Sequence, residues 1–530
     1  MADKPTGRLD SWKQIAEYLG RDVRTVIRWE NERGLPIHRI PGKKGHGVFA
    51  QREEVDAWLH GGSQEASRPR IGVLPLVNTI KVEEEYIADG ISENVIRSLS
   101  RIPSLRVMAW STVAGFRGTA GDPVQVGREL SLNAIVTGRV AQRNGFWQVH
   151  MELVDPTDGA QLWGKEYTKP AMDIQTLPNQ IARDIVSGMD VHFGKDEAAR
   201  LTTNRTVNAQ AYDLLLHGRY YFNQFTAETF AQALQCLQRA VAIDPEYAEA
   251  YAELAQCYVF LAVGYGDAAP RELLAKADAA ARKAIALDEK LGEAHCALAM
   301  ASVYDGWDWK LVEKEFKLAI ESSPSSPMAH VGYATLLHAL CRTEEGIEEG
   351  RWAMEVDPLA PIATGDYAFA LAIAGRNAEA LKLIQQALER FPSFSNMHYM
   401  LGVVHERAGR YEEAIEAIQK TLAAGMMHTI PFGVLGHIFA KTGRREKAFE
   451  ILSRLDELAK VRPVAQFTKA LIYAGLFDTK AALECLEKAY SDKSPWLYML
   501  NWYPWLEPLR GEPGFIDLVR RVGLPARPDV

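Results

Sequence analysis

The chain has 530 residues, 47% apolar and 24% charged, with 60 Lys and Arg against 68 Asp and Glu for a formal net charge of −8. That is ordinary soluble globular material for three or four domains. Its five cysteines, Cys236, Cys257, Cys296, Cys341 and Cys485, stand singly without a CxxC pair; this excludes a zinc framework, argues against a disulfide scaffold and predicts reduced thiols in a cytoplasm.

At the amino terminus, Ser11 followed by Gln14 reads as a capping box opening a short helix with Ile15, Ala16 and Leu19 on its inner side. No apolar run follows Met1, so a secretory signal is not expected. Asp22 caps a second predicted helix, 23–32, closed by Gly34 and Pro36. Strands at 37–40 and 48–49 flank a basic, glycine-rich tip at 41–47, and a third helix covers 53–59. The second helix carries Arg21, Arg24, Thr25 and Arg28 at spacings that send several side chains out on one side. Residues 21–46 hold seven Lys and Arg against three Asp and Glu. A basic helix followed by a lysine-bearing wing suits a major groove and its flanking phosphates. The alternative is a small solvated domain whose arginines pair with Glu17, Glu30 and Glu32.

Thr25 to Trp29, then Gly34-Leu-Pro36, then 52–59 resemble the excisionase-like branch of MerR-type winged helix-turn-helix domains. The resemblance covers about 50 residues, carries one extra residue before the Gly-Leu turn, and is not followed by a long dimerisation helix. It implies that Arg24, Thr25 and Arg28 read the groove of double-stranded DNA, and that Lys43, Lys44 and His46 form the gripping wing. One reading helix per chain makes a homodimer on DNA possible.

An α/β segment follows at 70–192. Strands are predicted at 71–77, 105–110, 134–141, 146–154 and 161–167, with helices at 86–99, 123–130 and 174–189. Asn144-Gly145 and Asp158-Gly159 are turn signals. The strings Val73-Leu-Pro-Leu76, Tyr86-Ile-Ala-Asp-Gly-Ile91, Gly138-Arg-Val140 and Gln161-Leu-Trp163 resemble the TolB amino-terminal-like domain. The segment carries no Walker A, GxGxxG, HExxH or GxSxG string, so neither an enzyme nor a cofactor is expected. The start of the helix around Asp89-Gly90 leaves open a small-ligand site.

From residue 327 the sequence repeats every 34 residues, at 327, 361, 395, 429 and 463, with looser units from about 210. Small residues recur eight positions in (Ala334, Ala368, Gly402, Gly436, Ala470) and twenty in (Gly346, Ala380, Ala414, Ala448, Ala482), where two helices of a hairpin cross closely. Pro324, Pro358 and Pro392 end successive units. Period and positions resemble the tetratricopeptide repeat (TPR), which implies an α-solenoid of about eight hairpins over 210–494 with a concave groove. Residues 422–440 are uncharged but cross a repeat boundary and contain Pro431, so no membrane span is expected.

Family geometry turns Val331, Thr335, Phe369, Tyr399, Val403, His437 and Phe467 into that groove, which is apolar and suits a hydrophobic protein segment or the chain's own middle domain. These residues could equally pack inside a tight superhelix. The tail at 495–530, with Trp496, Trp502 and Trp505, is expected to cap the last hairpin. The fold class is thus multidomain: winged helix, α/β domain, then α-solenoid. The function this implies is a cytoplasmic DNA-binding transcriptional regulator whose α/β and TPR portion senses or docks a partner; the alternative is a protein-interaction scaffold without DNA binding.

Overall fold

The computed structural model describes residues 8–9, 11–19, 23, 26–27, 30, 35–39, 48–52, 54–55, 68–79, 84–117, 122–189, 200–201, 208–224, 226–265, 270–392, 394–424 and 429–527. The chain divides into two compact units, Met1–Pro69 and Arg70–Val530.

In the first unit, β1 (Arg8–Leu9), β2 (His38–Arg39) and β3 (Val48–Gln51) form an antiparallel sheet of order β1-β3-β2, and α1 (Trp12–Tyr18) follows β1. Ser11 caps α1, its hydroxyl accepting from the Gln14 N–H at 3.2 Å. Leu9, Ile15, Val26, Leu35, Val48, Ala50 and Val55 supply a small core.

The second unit is predominantly helical and opens with a sheet. Its elements are β4 (Arg70–Val73), β5 (Val77–Asn78), α2 (Glu85–Leu99), β6 (Arg106–Val107), α3 (Trp110–Val113), α4 (Pro123–Glu129), β7 (Ala134–Arg143), β8 (Phe146–Val154), β9 (Gln161–Pro170) and α5 (Leu177–Gly188). Strand order is β6-β4-β7-β8-β9, parallel from β6 to β7 and antiparallel beyond. Asn144 and Gly145 take positive φ (52° and 80°), closing the β7–β8 hairpin in two residues. The strand expected over 71–77 is divided between β4 and β5 around Pro75, which has no N–H to give a ladder. The strand expected over 105–110 keeps only two residues. The Met108 N–H still bonds the Ile71 carbonyl of β4 at 2.9 Å, but the Ala109 N–H turns to the Val356 carbonyl at 2.8 Å, and Trp110 starts a helical turn.

Residues 209–491 form eight antiparallel helix pairs: α6 (Ala209–Phe222) with α7 (Ala227–Ile243), α8 (Ala248–Phe260) with α9 (Pro270–Leu287), α10 (Gly292–Tyr304) with α11 (Trp309–Ser322), α12 (Pro327–Ala339) with α13 (Thr343–Val356), α14 (Pro361–Ile373) with α15 (Asn377–Arg390), α16 (Ser395–Arg407) with α17 (Tyr411–Ala423), α18 (Ile430–Lys441) with α19 (Arg445–Leu458), and α20 (Gln466–Gly475) with α21 (Thr479–Ser491). The tail closes with α22 (Pro513–Arg521). Each turn within the last five pairs has one residue with positive φ at the same 34-residue phase: Cys341, Gly375, Gly409, Gly443 and Phe477. The following N–H reaches back across the helix end, as from Arg376 to the Leu371 carbonyl at 2.8 Å and from Arg410 to His405 at 2.8 Å. This closure satisfies helix-end carbonyls and turns the chain into the second helix.

The small residues at positions eight and twenty lie where the helices meet; Ala368, Ala380, Ala414, Ala448, Ala470 and Ala482 are fully buried. At Gly402 a Cβ would stand 2.5 Å from Ile418 Cγ1 and 3.1 Å from the Ala414 carbonyl oxygen. Gly402→Ala must therefore push α16 off α17. A loss of about 1–3 kcal/mol is expected, read as a lower urea midpoint, and an unchanged midpoint would mean that the helices do not cross this closely.

Candidate functional site

The first helices of successive pairs line the concave face, and the chain's own tail fills it. Trp502 stacks on His338 with centroids 4.8 Å apart and planes 2° from parallel, and meets Phe369 edge-on at 4.8 Å. Tyr503 hydrogen-bonds Tyr399, hydroxyl to hydroxyl, at 2.9 Å and packs 5.9 Å from Phe467. Trp505, 1% exposed, lies 4.7 Å from Tyr503 and 6.4 Å from Phe369. The tail also reaches the third pair: Trp309 Nε1 donates to the Val522 carbonyl at 2.9 Å, and Tyr498 sits edge-on to Tyr304 at 5.7 Å. Between the third and eighth pairs, Trp307 stacks on Tyr490 at 5.5 Å, with the Lys493 ammonium 4.1 Å above the Trp307 ring. The tryptophans thus enter the concave face rather than only covering the last hairpin, and the hydrophobic segment that fits this groove is the chain's own.

Of the seven groove residues read from the repeat, Val331, Thr335, Phe369 and Tyr399 line one cavity of about 220 Å³ left between solenoid and tail. Val403, His437 and Phe467 are buried outside it. His437 is committed to the next repeat, its Nδ1 2.9 Å from the Leu471 carbonyl, and burial lowers its pKa to about 4. Two further polar residues line the same cavity: His338, at an inward position of its repeat, and Asp366, which the periodic reading did not turn inward. His338 is 3% exposed, and its Nδ1 has no hydrogen-bond partner; burial lowers its pKa to about 4, so it is neutral near pH 7. Asp366, one turn along α14 from Ile362, also lines the cavity. Burial raises its carboxyl to about 7. The only signal for it in the sequence was a lone carboxylate on an otherwise apolar helix.

A second set of polar contacts seats the α/β segment on the solenoid. Arg219 of α6, 4% exposed, donates from Nε to Glu253 at 2.9 Å and from Nη1 to Asn94 at 2.6 Å. Arg97 of α2 reaches Glu93 and Glu253 at 2.9 Å and Glu293 at 3.4 Å. Burial opposes the Arg97 charge, but the three carboxylates outweigh it and push its pKa up. Glu293 feels the same burial, and Arg97 and Arg101 still hold it below its ordinary value. Farther along, Ser111 and Thr112 donate to the buried Asp357. Burial lifts that carboxyl to about 6, against the pull of the two hydroxyls.

The helix start considered as a ligand site is filled. The Tyr86 hydroxyl donates to Asp213 at 2.8 Å, Arg117 pairs with Asp89, and a Cβ on Gly90 would lie 2.6 Å from Leu216. Asp155 accepts from the Thr157 N–H at 2.8 Å, which is turn chemistry. Among the described residues, no three His, Cys, Asp or Glu side chains gather where they could hold a metal ion.

Arg21, Arg24, Thr25 and Arg28, expected to read DNA, and Lys43, Lys44 and His46, expected to form a wing, lie outside the described residues. Nearby, Glu30 pairs with Arg39 at 2.6 Å, so that carboxylate is engaged from β2.

Tetratricopeptide-repeat family models match residues 362–426 and 464–491. The carboxy-terminal array is built of tetratricopeptide repeats. Solved structures similar to it include Pseudomonas aeruginosa PilF, 18% identical over 44% of this chain and 98% of that one (TM-score 0.31). A tetratricopeptide repeat protein from Parabacteroides merdae is 11% identical over 59% of this chain and 99% of its own (TM-score 0.31). A curated protein of Rhizobium meliloti (strain 1021), named putative adenylate cyclase 3, is 32% identical over 192 residues, 36% of this chain. The chain spans about a third of that relative's length (33%). No described helix is long and apolar enough to cross a membrane.

The tail's place in the groove makes it a structural element. Trp505→Ala should cost about 3–5 kcal/mol, seen in urea unfolding followed by tryptophan fluorescence. A loss below 1 kcal/mol would mean that the aromatic segment is not seated in the groove.

Proposed function

We propose that this chain is a protein-interaction scaffold that docks its partner on the outside of the repeat array. The observation that carries the reading is where the two most exposed large apolar side chains among the described residues lie. Val461 is 81% exposed and Phe477 74%, and Phe449 and Ile516 are exposed as well. All four belong to the last two hairpins or to α22. Apolar side chains of this size held in water are a cost that a partner surface would relieve. Phe477 also keeps a positive φ of 58°, so its ring is presented from a turn that glycine fills in three other repeats. Photo-crosslinking amino acids placed at Val461 and Phe477 in the full chain should give one discrete protein adduct in cells, with none from Lys290 in an earlier turn. Equal or absent adducts at all three positions would remove the reading.

A second function is favoured by the amino-terminal unit: recruitment of the scaffold to DNA as a transcriptional regulator. Its support is the three-stranded sheet whose β2 and β3 bracket the basic tip, together with the capped α1. In this reading Arg21, Lys43 and Lys44 contact phosphates, while Arg24 and Arg28 read bases or groove shape. Phosphate contacts alone make affinity fall with salt, whereas a bidentate base contact discriminates by about 1–3 kcal/mol. Anisotropy titrations of genomic fragments recovered by immunoprecipitation should show Arg28→Ala losing that discrimination and Lys43→Ala losing salt slope. Unchanged binding in a double Arg24→Ala, Arg28→Ala variant would rule out the second helix as the reader.

A further inference from the structure

The cavity beneath the tail is large enough for a small molecule: at about 220 Å³ it exceeds the roughly 150 Å³ that accepts benzene in an engineered core. Its wall is mainly apolar and rich in aromatic rings, with Tyr304, Phe369, Tyr399, Tyr498, Trp502 and Tyr503 among them. Aromatic faces carry negative potential and attract cations. Polar side chains break the apolar lining at Asp366, His338, Asn396 and Thr335, the last with its hydroxyl spent on the Val331 carbonyl at 3.0 Å. The Asp366 side chain has no hydrogen-bond or ion-pair partner among the described residues, and the buried Tyr304 and Tyr498 hydroxyls feel its charge. His338 presents a buried, unpartnered Nδ1. A carboxylate in such a wall lacks a counter-ion, and the protein's usual solutions, an arginine or a lysine, are not among the described lining residues.

We propose that this cavity binds a small organic ammonium ion, with Asp366 as counter-ion, the aromatic faces around its alkyl part, and His338 as a further hydrogen-bond acceptor. A neutral ligand of the same shape would leave the carboxylate unpaired, and an anion would be repelled by it. The occupant is therefore specified by charge as well as size, at about five to eight heavy atoms given the volume. This goes beyond docking of a protein on the outer surface and does not depend on it.

The pH dependence follows from the groups that face the cavity. Near pH 7, His338 is already neutral, since burial holds it at about 4, and the lining tyrosines Tyr304, Tyr367, Tyr399, Tyr498 and Tyr503 are all pushed above their ordinary value by burial. Between pH 6 and pH 8 the group in this wall that changes charge is Asp366, at about 7. A cation favours the ionised carboxylate, so binding must strengthen as the pH rises.

The test uses the full chain, n-butylammonium as the probe and 1-butanol as its uncharged counterpart, with affinity read by calorimetry and by quenching of tryptophan fluorescence. Butylammonium stays protonated throughout the range, so its own titration does not enter. Expected are saturable binding at one site, an affinity about tenfold higher at pH 8 than at pH 6, and a loss of about tenfold or more in Asp366→Asn at pH 8. Asp366→Asn removes a buried charge without changing volume, so the variant should be at least as stable as the parent at pH 8. If it does not fold, the wild-type pH slope and the butanol comparison decide. Equal binding of butanol, a flat pH profile, unchanged affinity in a folded Asp366→Asn protein, or no saturation at tens of millimolar probe would each overturn the proposal.

Discussion

Burial of the aromatic tail in the solenoid's concave face is the constraint on which the rest of the second unit depends. A repeat array usually holds together by contacts between neighbours, so its ends can fray independently. Here the tail touches the fourth pair through His338, the fifth through Phe369, the sixth through Tyr399 and the eighth through Phe467, while Val522 holds Trp309 of the third. Tyr490 and Trp307 tie the eighth pair to the third across roughly 180 residues of chain. Each such aromatic contact adds about 0.5–1.5 kcal/mol beyond the area it buries. The sum couples units that a linear stack would leave independent, so the array should unfold as one body from the third pair onward.

The α/β segment contributes the other half of that rigidity by different chemistry. Its seat is polar, with Arg97 and Arg219 set among Glu93, Glu253 and Glu293. Buried pairs of this kind add little net stability, because desolvation cancels most of the attraction, yet removing one partner strands a charge. They therefore fix position more than they add strength. The backbone supports the same docking: the Val107 N–H bonds the Ser325 hydroxyl at 3.2 Å, and the Ala109 N–H bonds the Val356 carbonyl at 2.8 Å. Donors that would have extended β6 are spent on the turns between repeats, and the segment and the array behave as one compact unit rather than two domains on a linker.

What the sequence disclosed was what a single chain position dictates. Positions eight and twenty of each repeat were legible because sterics there tolerate only a small side chain, and Gly402 against Ile418 shows why. Asn144-Gly145 was legible because few residues accept its φ values. The positive-φ turn at 341, 375, 409, 443 and 477 was within reach, through glycine in three repeats, but Cys341 and Phe477 hid the phase. The groove was harder. Periodicity tells which side chains turn inward, not what lies over them, so it could not say that Phe467 would meet the chain's own Tyr503. Three tryptophans in ten residues announced a buried segment without saying where it would go. Arg97 and Arg219 gave no signal for their docking role, because their pairing with Glu253 and Asn94 across more than a hundred residues leaves no local pattern.

A filled groove changes what can bind. A peptide competing for the concave face would have to displace Trp502, Tyr503 and Trp505 and recover their burial before gaining any affinity, which at about 25 cal/mol per Å² of apolar surface is a heavy prior cost. A protein partner avoids it by using the outer surface, where Val461 and Phe477 are already exposed. A small ion avoids it too, by entering the space the tail leaves. Tail and solenoid both contribute walls to that space, so a ligand there binds the seated tail and not the released one. By linkage it must stabilise the closed array, and any surface that depends on the closed array follows it.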